Sequence, residues 1–503
     1  MTMQFAHVKL DWSRLRGQGG VVVISAAVVA IWTITQPIVF TYDTFTYIDQ
    51  AGELLLGELS ARSMFSRLPL FPAILLAFGV TDLQHSVFWL IVLHSVLAVA
   101  SCWLFYLTAR QLAPGGAFVL SLVFIASLLP FINVNYIMTE QIFLFQTMLT
   151  INGIVSYLFA RTNRETWLAL IILCVGTVLM TLTRPQGAYV IPTVFGAVAV
   201  LAWRRAWAPL IAAVVAFVAV WSVQAVDQKI RAGSQTTAGS FDSSYMRAPM
   251  LLFTFYLDGP REKIRISPAN GPASAELKAL LLDELVKPDA LARRVGYLKS
   301  VPPEDVPAYV EKSFAEPEAD FYLMLSYIAL KERLGAEKAD RLLTRVCLET
   351  ALAYPVETVR LITERLFQVY FNPWLLAVPV HPQFQPGTFQ GQLATEIAAA
   401  GDYSTATRID YAIDRNLRWL MQGAIVLALI TLPIAFRYPT WRATIALLAL
   451  GLYLNFAVAV GNHPLFRYAF YAIPTTLLCA YIGTVALVST VRDRYRKRSV
   501  IVN

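Results

Sequence analysis

The chain has 503 residues, 57% of them hydrophobic and only 15% charged, with a formal net charge of +8. A mean hydropathy of +0.56 excludes a soluble globular protein, and segments able to cross about 30 Å of hydrocarbon recur along it. Lipid does not tolerate exposed backbone, so these segments are read as helices and the class as an all-α polytopic membrane protein.

Residues 1–19 read as a cytoplasmic N-terminus. The first apolar run, 20–41, has no small-residue cleavage site behind it and reads as an uncleaved span. Further runs fall at about 85–109, 114–132, 141–160, 166–183, 187–203, 206–226, 417–436, 441–460 and 466–490, predicting about 10 transmembrane helices. The polar stretch 227–415 is too long for a linker; AELKALLLDELV and YLMLSYIALKERLG within it carry helical periodicity. It reads as a mainly helical extracytoplasmic domain, followed by C-terminal membrane helices at 416–490 and a basic cytoplasmic tail at 491–503.

Lysine and arginine set the orientation. With the N-terminus inside, Arg110, Arg161, Arg164, Arg204, Arg205, Arg437, Arg442 and the terminal RDRYRKR all fall on the cytoplasmic side. The 227–415 domain holds 21 basic and 24 acidic residues, a net −3. The positive excess therefore sits on the cytoplasmic face, where it attracts anionic membrane lipid and no nucleic-acid partner is needed to explain it. Cys102, Cys174 and Cys479 lie in apolar runs and Cys347 alone in the polar domain, a pattern of isolated thiols without disulfide or metal spacing.

Ionisable groups near membrane depth are functional candidates by default. Asp43 lies just beyond the first span, and Asp49 follows in YIDQAGELLLG, read as an interfacial helix with Ile48, Leu55 and Leu59 on its apolar side. A carboxylate there can serve as a general base on a hydroxyl or as a helix cap. Glu140 opens the fourth span in NYIMTEQIFLF; its plainer role is a first-turn glutamate beside a cap from Thr139 or Asn135. Arg184, in TLTRPQGAY, separates two apolar runs and can grip a phosphate with its planar fork or snorkel to headgroups. AVGNHPLFRYAFYAIP carries His463 and Arg467, which with Arg67 and Arg184 would complete a cationic rim suited to a lipid-linked phosphate. The chain lacks a Walker loop, a G-x-G-x-x-G, an H-E-x-x-H and a G-x-S-x-G, so neither a nucleotide cofactor nor a zinc site is expected.

In order along the chain, TYDTFTYIDQAGELLLGE, SRLPLFPAILLAFG, YIMTEQIFLF, LTRPQG and RYAFYAIP resemble segments of the type C (GT-C) membrane glycosyltransferases, closest to the protein O-mannosyltransferase and lipid A aminoarabinose transferase branch. The likeness covers roughly 20–226, with the first outer loop at 42–84, and is fainter over 417–490. It implies a conserved seven-span module and transfer of a sugar from a polyprenyl-phosphate carrier, undecaprenyl in a bacterium, by direct inverting displacement. The acceptor would be a hydroxyl of a glycan, lipid or protein outside the cytoplasm. It maps the acceptor-activating aspartate onto Asp43 and the donor-phosphate arginine onto Arg184, with Arg467, Arg67 and His463 as further donor-binding candidates. Asp49, Glu140 and Tyr47 would shape the acceptor side. The family's twin-acidic and W-W-D signatures for diphosphate donors are missing, so no metal and no cofactor beyond the lipid-linked sugar is expected. Two other readings stay open: a ligase or polymerase using a diphosphate-linked glycan, centred on His463 and Arg467, and a lipid or solute transporter.

Overall fold

The computed structural model describes residues 12–39, 68–79, 83–184, 189–233, 264–287, 302–315, 327–371, 403–461 and 470–501, with Thr44, Tyr47, Ile48, Ala51 and Gly187 between them. Among these residues the fold is helical, and the one β contact is an isolated parallel bridge between Val39 and Tyr136. The helices are α1 (Trp12–Thr35), α2 (Leu70–Ala77), α3 (Leu83–Leu112), α4 (Ala117–Ala126), α5 (Glu140–Phe159), α6 (Asn163–Thr183), α7 (Val190–Leu201) and α8 (Trp207–Gly233). After them come α9 (Pro272–Leu285), α10 (Val306–Ala315), α11 (Tyr327–Leu334), α12 (Ala336–Ala353) and α13 (Pro355–Phe371). The series closes with α14 (Tyr403–Ala435), α15 (Trp441–Gly461) and α16 (Ile473–Ile501).

All ten apolar runs form helices, but only 8 helices among the described residues are long and apolar enough to span a membrane. Two are short: Pro114–Ala126 and Val190–Leu201. The 12 residues of α7 rise about 18 Å, well under a bilayer core. This is a multi-pass membrane protein in which two of the ten apolar runs form helices too short to span.

Irregular, buried backbone follows α4. Leu128 turns the chain with φ 60, a left-handed conformation uncommon outside glycine. Residues 129–139 are then buried throughout except for a half-buried Tyr136. Backbone without helical bonds survives at this depth only if protein satisfies it. Here the Val39 N–H donates to the Asn135 carbonyl at 2.9 Å and the Ile137 N–H to the Val39 carbonyl at 3.1 Å. The Thr44 hydroxyl also donates to the Ile137 carbonyl at 3.0 Å, and His94 Nδ1 lies 3.1 Å from the Val134 carbonyl. The segment from 127 to 139 is thus held by the end of α1, by Thr44 and by α3.

The α5–α6 pair anchors the bundle. A Cβ on Gly153 would lie 2.9 Å from the Leu173 Cα, so glycine lets the two backbones approach closely. A capping box starts α6: Thr162 accepts from the Glu165 N–H at 3.2 Å while Glu165 accepts from the Thr162 N–H at 3.2 Å. Arg184, extended at φ −143 and ψ 148, ends it, because Pro185 disfavours helix in the preceding residue. The chain then folds back: the Gly187 N–H donates to the Arg184 carbonyl at 2.9 Å, and the Thr181 hydroxyl to the Gly187 carbonyl at 2.9 Å.

Within the polar segment, α9 to α13 build a separate small core around Leu277, Leu281, Leu343 and Val346. Glu349 on α12 caps α9, accepting from the N–H groups of Ala273 and Ser274 at 2.8 Å each and from the Ser274 hydroxyl at 2.7 Å. Desolvation opposes its charge, but these hydrogen bonds outweigh it and hold the carboxyl below its ordinary range. The cap's contribution is therefore present at neutral pH and fades as pH falls through that lowered value. Helix α13 joins the two cores through Val369, which packs with Val458 and Ala459 of α15. Tyr47, Ile48 and Ala51 bury into the bundle core, so this side of the first outer segment faces protein; the rest of its expected interfacial helix lies outside the described residues.

The turn after Arg184 is testable. A Cβ on Gly187 would meet the Met180 carbonyl oxygen at 2.2 Å, whereas nothing lies within 4 Å of one on Gly196 in α7. Gly187→Ala should lower the thermal unfolding midpoint in detergent, while Gly196→Ala should leave it unchanged or raise stability by about 0.5–1 kcal/mol. Equal midpoints for the two variants would contradict the tight turn.

Candidate functional site

The first turn of α5 carries the site. Thr139 at its N-cap makes no side-chain capping bond. Asn135 is also no cap: its amide donates to the carbonyls of Thr33 at 3.3 Å and Gln36 at 2.6 Å. The expected local cap beside Glu140 is therefore absent. Glu140 reaches across the bundle instead, with its Oε1 3.1 Å from Arg184 Nη1. The pair is a charge contact without the alignment of a good hydrogen bond. Glu140 is 1% exposed and Arg184 7%, so neither side chain snorkels to the surface.

A third element completes the cluster. Arg184 Nη1 donates to the Tyr471 hydroxyl at 2.6 Å. Tyr471 lies on the short helical turn Phe470–Ala472 that leads into α16. The guanidinium also sits over the rings of Tyr471 and Phe143, 5.5 and 5.9 Å from their centroids. These two rings meet edge to face at 4.6 Å. Residues of α5 and of the turn before α16 thus pack around one buried cation at the end of α6. Removing two charges from water is costly, and such a pair persists only where Coulomb attraction and further polar contacts offset the loss. The hydroxyl and the two ring faces supply those contacts here.

The same helix carries neutral polar groups. Gln146 donates to the Thr183 hydroxyl at 2.7 Å, linking α5 to the end of α6. Thr139 Oγ1, both amide atoms of Gln141 and His94 Nε2 are buried without a hydrogen-bond partner. Buried polar atoms are nearly always paired, so a concentration of unpaired ones marks a place built for something polar.

Of the residues singled out from sequence, the structure brings Glu140 and Arg184 into contact. Tyr47 is buried in the bundle core with its ring edge-on to Phe71 at 4.8 Å. Asp43, Asp49, Arg67, His463 and Arg467 lie outside the described residues. Sequence reasoning missed three residues. Tyr471 is one of many tyrosines, although it falls inside RYAFYAIP. His94 and Gln141 sit within apolar runs, and intramembrane polarity was the signal available for both.

The pair predicts a coupling. Truncating either partner of a buried ion pair leaves the other uncompensated, so Glu140→Leu and Arg184→Leu should each cost about 3–5 kcal/mol. The double variant should lose less than the sum, with a coupling of at least about 1 kcal/mol in a double-mutant cycle. Additive losses in reversible unfolding would contradict the contact.

No protein-family model matches the sequence, and no curated relative does. Among solved structures, the chain is similar to the oligosaccharyltransferase AglB from Archaeoglobus fulgidus in complex with an inhibitory peptide and a dolichol-phosphate. The identity is 13% and the TM-score 0.42, over 98% of this chain and 52% of that one. It is also similar to ArnT from Cupriavidus metallidurans bound to undecaprenyl phosphate, at 11% identity and a TM-score of 0.34, over 93% of this chain and 78% of that one. The chain spans about half the length of the oligosaccharyltransferase. Overlaps at these scores are remote, and no residue's role follows from them.

Proposed function

We propose that the chain is a membrane glycosyltransferase of the GT-C type. It moves one sugar from a polyprenyl-phosphate carrier to an acceptor hydroxyl on the non-cytoplasmic side of a bacterial plasma membrane. The observation that carries this reading is the buried Glu140–Arg184–Tyr471 cluster, built from parts of the chain far apart in sequence. A guanidinium kept charged at the end of a membrane helix is suited to a lipid-borne phosphate, and the tyrosine beside it fixes its position.

In this reading the carrier's phosphate shares Arg184 with Glu140, and Arg467, Arg67 and His463 complete the donor side. The acceptor hydroxyl attacks the anomeric carbon, the bond from that carbon to the phosphate oxygen breaks, and the phosphate leaves as a monoester. Arginine neutralises the charge growing on it. Asp43 accepts the hydroxyl proton, and a single displacement inverts the anomeric centre. Thr44, next to Asp43 in sequence, is tied to the Ile137 carbonyl three residues before Glu140, which supports convergence of the first outer loop on this site. The 227–415 segment is the domain that selects the acceptor, with Asp49, Tyr47 and Glu140 shaping that side. No metal or cofactor besides the lipid-linked sugar is invoked.

The test is transfer of radiolabelled sugar from undecaprenyl-phosphate sugars to envelope acceptors by the purified full-length protein. Asp43→Asn should lower the rate about 10²–10⁴-fold, and Arg184→Gln should raise the donor KM and lower the rate together. Full activity in both variants would reject the assignment. A second reading, a lipid or solute transporter, is favoured by the two short helices, since broken membrane helices commonly line transport sites. Substrate accumulation in proteoliposomes without any glycosyl transfer would favour it.

A further inference from the structure

The face that α5 turns to α6 carries Phe143, Gln146, Thr150 and Gly153, spaced three or four residues apart as one side of a helix requires. Three of the four pack directly on α6 or its end. Gly153 lies against the Leu173 backbone, Thr150 against Gly176, and the Phe143 ring beneath the Arg184 guanidinium. Gln146 differs. It is 1% exposed, and its Oε1 is buried without a hydrogen-bond partner among the described residues. An amide buried and used at only one end costs stability that an apolar side chain would not.

The bond that Gln146 does make lies at the residue before Arg184. The Thr183 hydroxyl gives its single proton to the Leu179 carbonyl at 2.6 Å, so toward Gln146 it accepts, and the amide Nε2 donates to it at 2.7 Å. Thr183 is the last residue of α6, where a helix runs out of onward hydrogen bonds, and Pro185 bars any continuation. The Arg184 N–H bond to the Met180 carbonyl and the two bonds that close the turn at Gly187 all stay within residues 180–187. Gln146 instead ties this end to another helix, the one whose Glu140 and Phe143 touch the guanidinium. Both the backbone before Arg184 and its charged head are thus held from α5.

We propose that Gln146 is a positioning residue for Arg184: its amide fixes Thr183, and through it the arginine, in register with Glu140 and Phe143, so that the guanidinium is already placed when the carrier's phosphate arrives. This rests on the phosphate role given to Arg184 in the glycosyltransferase reading and deepens it. A preorganised group loses less freedom on binding, so loosening the end of α6 weakens the donor complex.

The experiment measures the affinity of the full-length protein in nanodiscs for undecaprenyl phosphate, with the thermal unfolding midpoint of each variant alongside. Gln146→Met, similar in length but without the donor, should weaken binding about three- to tenfold. Thr183→Val should weaken it to a similar degree, and the double variant no further than either single one. Thr183→Ser, which keeps the acceptor, should bind like the wild type. Asn152→Leu removes another buried amide of α5, one bonded to Thr108 of α3, and should lower the midpoint without changing the affinity. Wild-type affinity in Gln146→Met, or an equal loss in Asn152→Leu, would overturn the positioning role and leave the phosphate reading standing. No binding of undecaprenyl phosphate by the wild type would overturn both.

Discussion

The arrangement depends on a single constraint: a guanidinium cannot sit buried in a membrane bundle unless its charge is matched. Arg184 is held there by Glu140 at 3.1 Å, by the Tyr471 hydroxyl at 2.6 Å and by two aromatic faces. The partners come from α5 and from the turn before α16, so meeting this constraint fixes the first turn of α5, the end of α6 and the approach to α16 relative to one another. The local sequence serves the same end. Pro185 stops α6 at the arginine, and Gly187 lets the chain double back against the Met180 carbonyl.

A second constraint shapes the other side of the site. After α4 ends at Ala126, residues 127–139 run buried in the bundle as irregular backbone, and their carbonyls must be met by side chains or by Val39. His94 is committed to Val134 and Thr44 to Ile137 for this reason. The fold thereby brings a membrane-buried imidazole and the residue following Asp43 to the stretch that ends at Glu140.

The helical class and the positions of the apolar runs were legible in the sequence because lipid leaves so few structural options. Arg184 and Glu140 were legible as costly charges near membrane depth. Their contact was not, since the charge of Glu140 at a helix start has a sufficient local explanation in the helix dipole, and only packing shows that the caps at Thr139 and Asn135 go unused. The shortness of α4 and α7 was hidden for a related reason: an apolar run such as 114–132 continues in composition after its helix has ended at Ala126. Tyr471 was invisible as a partner because neither periodicity nor charge distinguishes it from the chain's other tyrosines.

The central claim is that the cluster around Arg184 receives a lipid-borne phosphate. A cryo-electron microscopy map of the protein saturated with undecaprenyl phosphate tests it most directly. The account predicts a phosphate oxygen within about 3 Å of the Arg184 guanidinium, with the isoprenoid tail leaving between helices. A headgroup bound elsewhere, with Arg184 still paired to Glu140 and Tyr471, would contradict it.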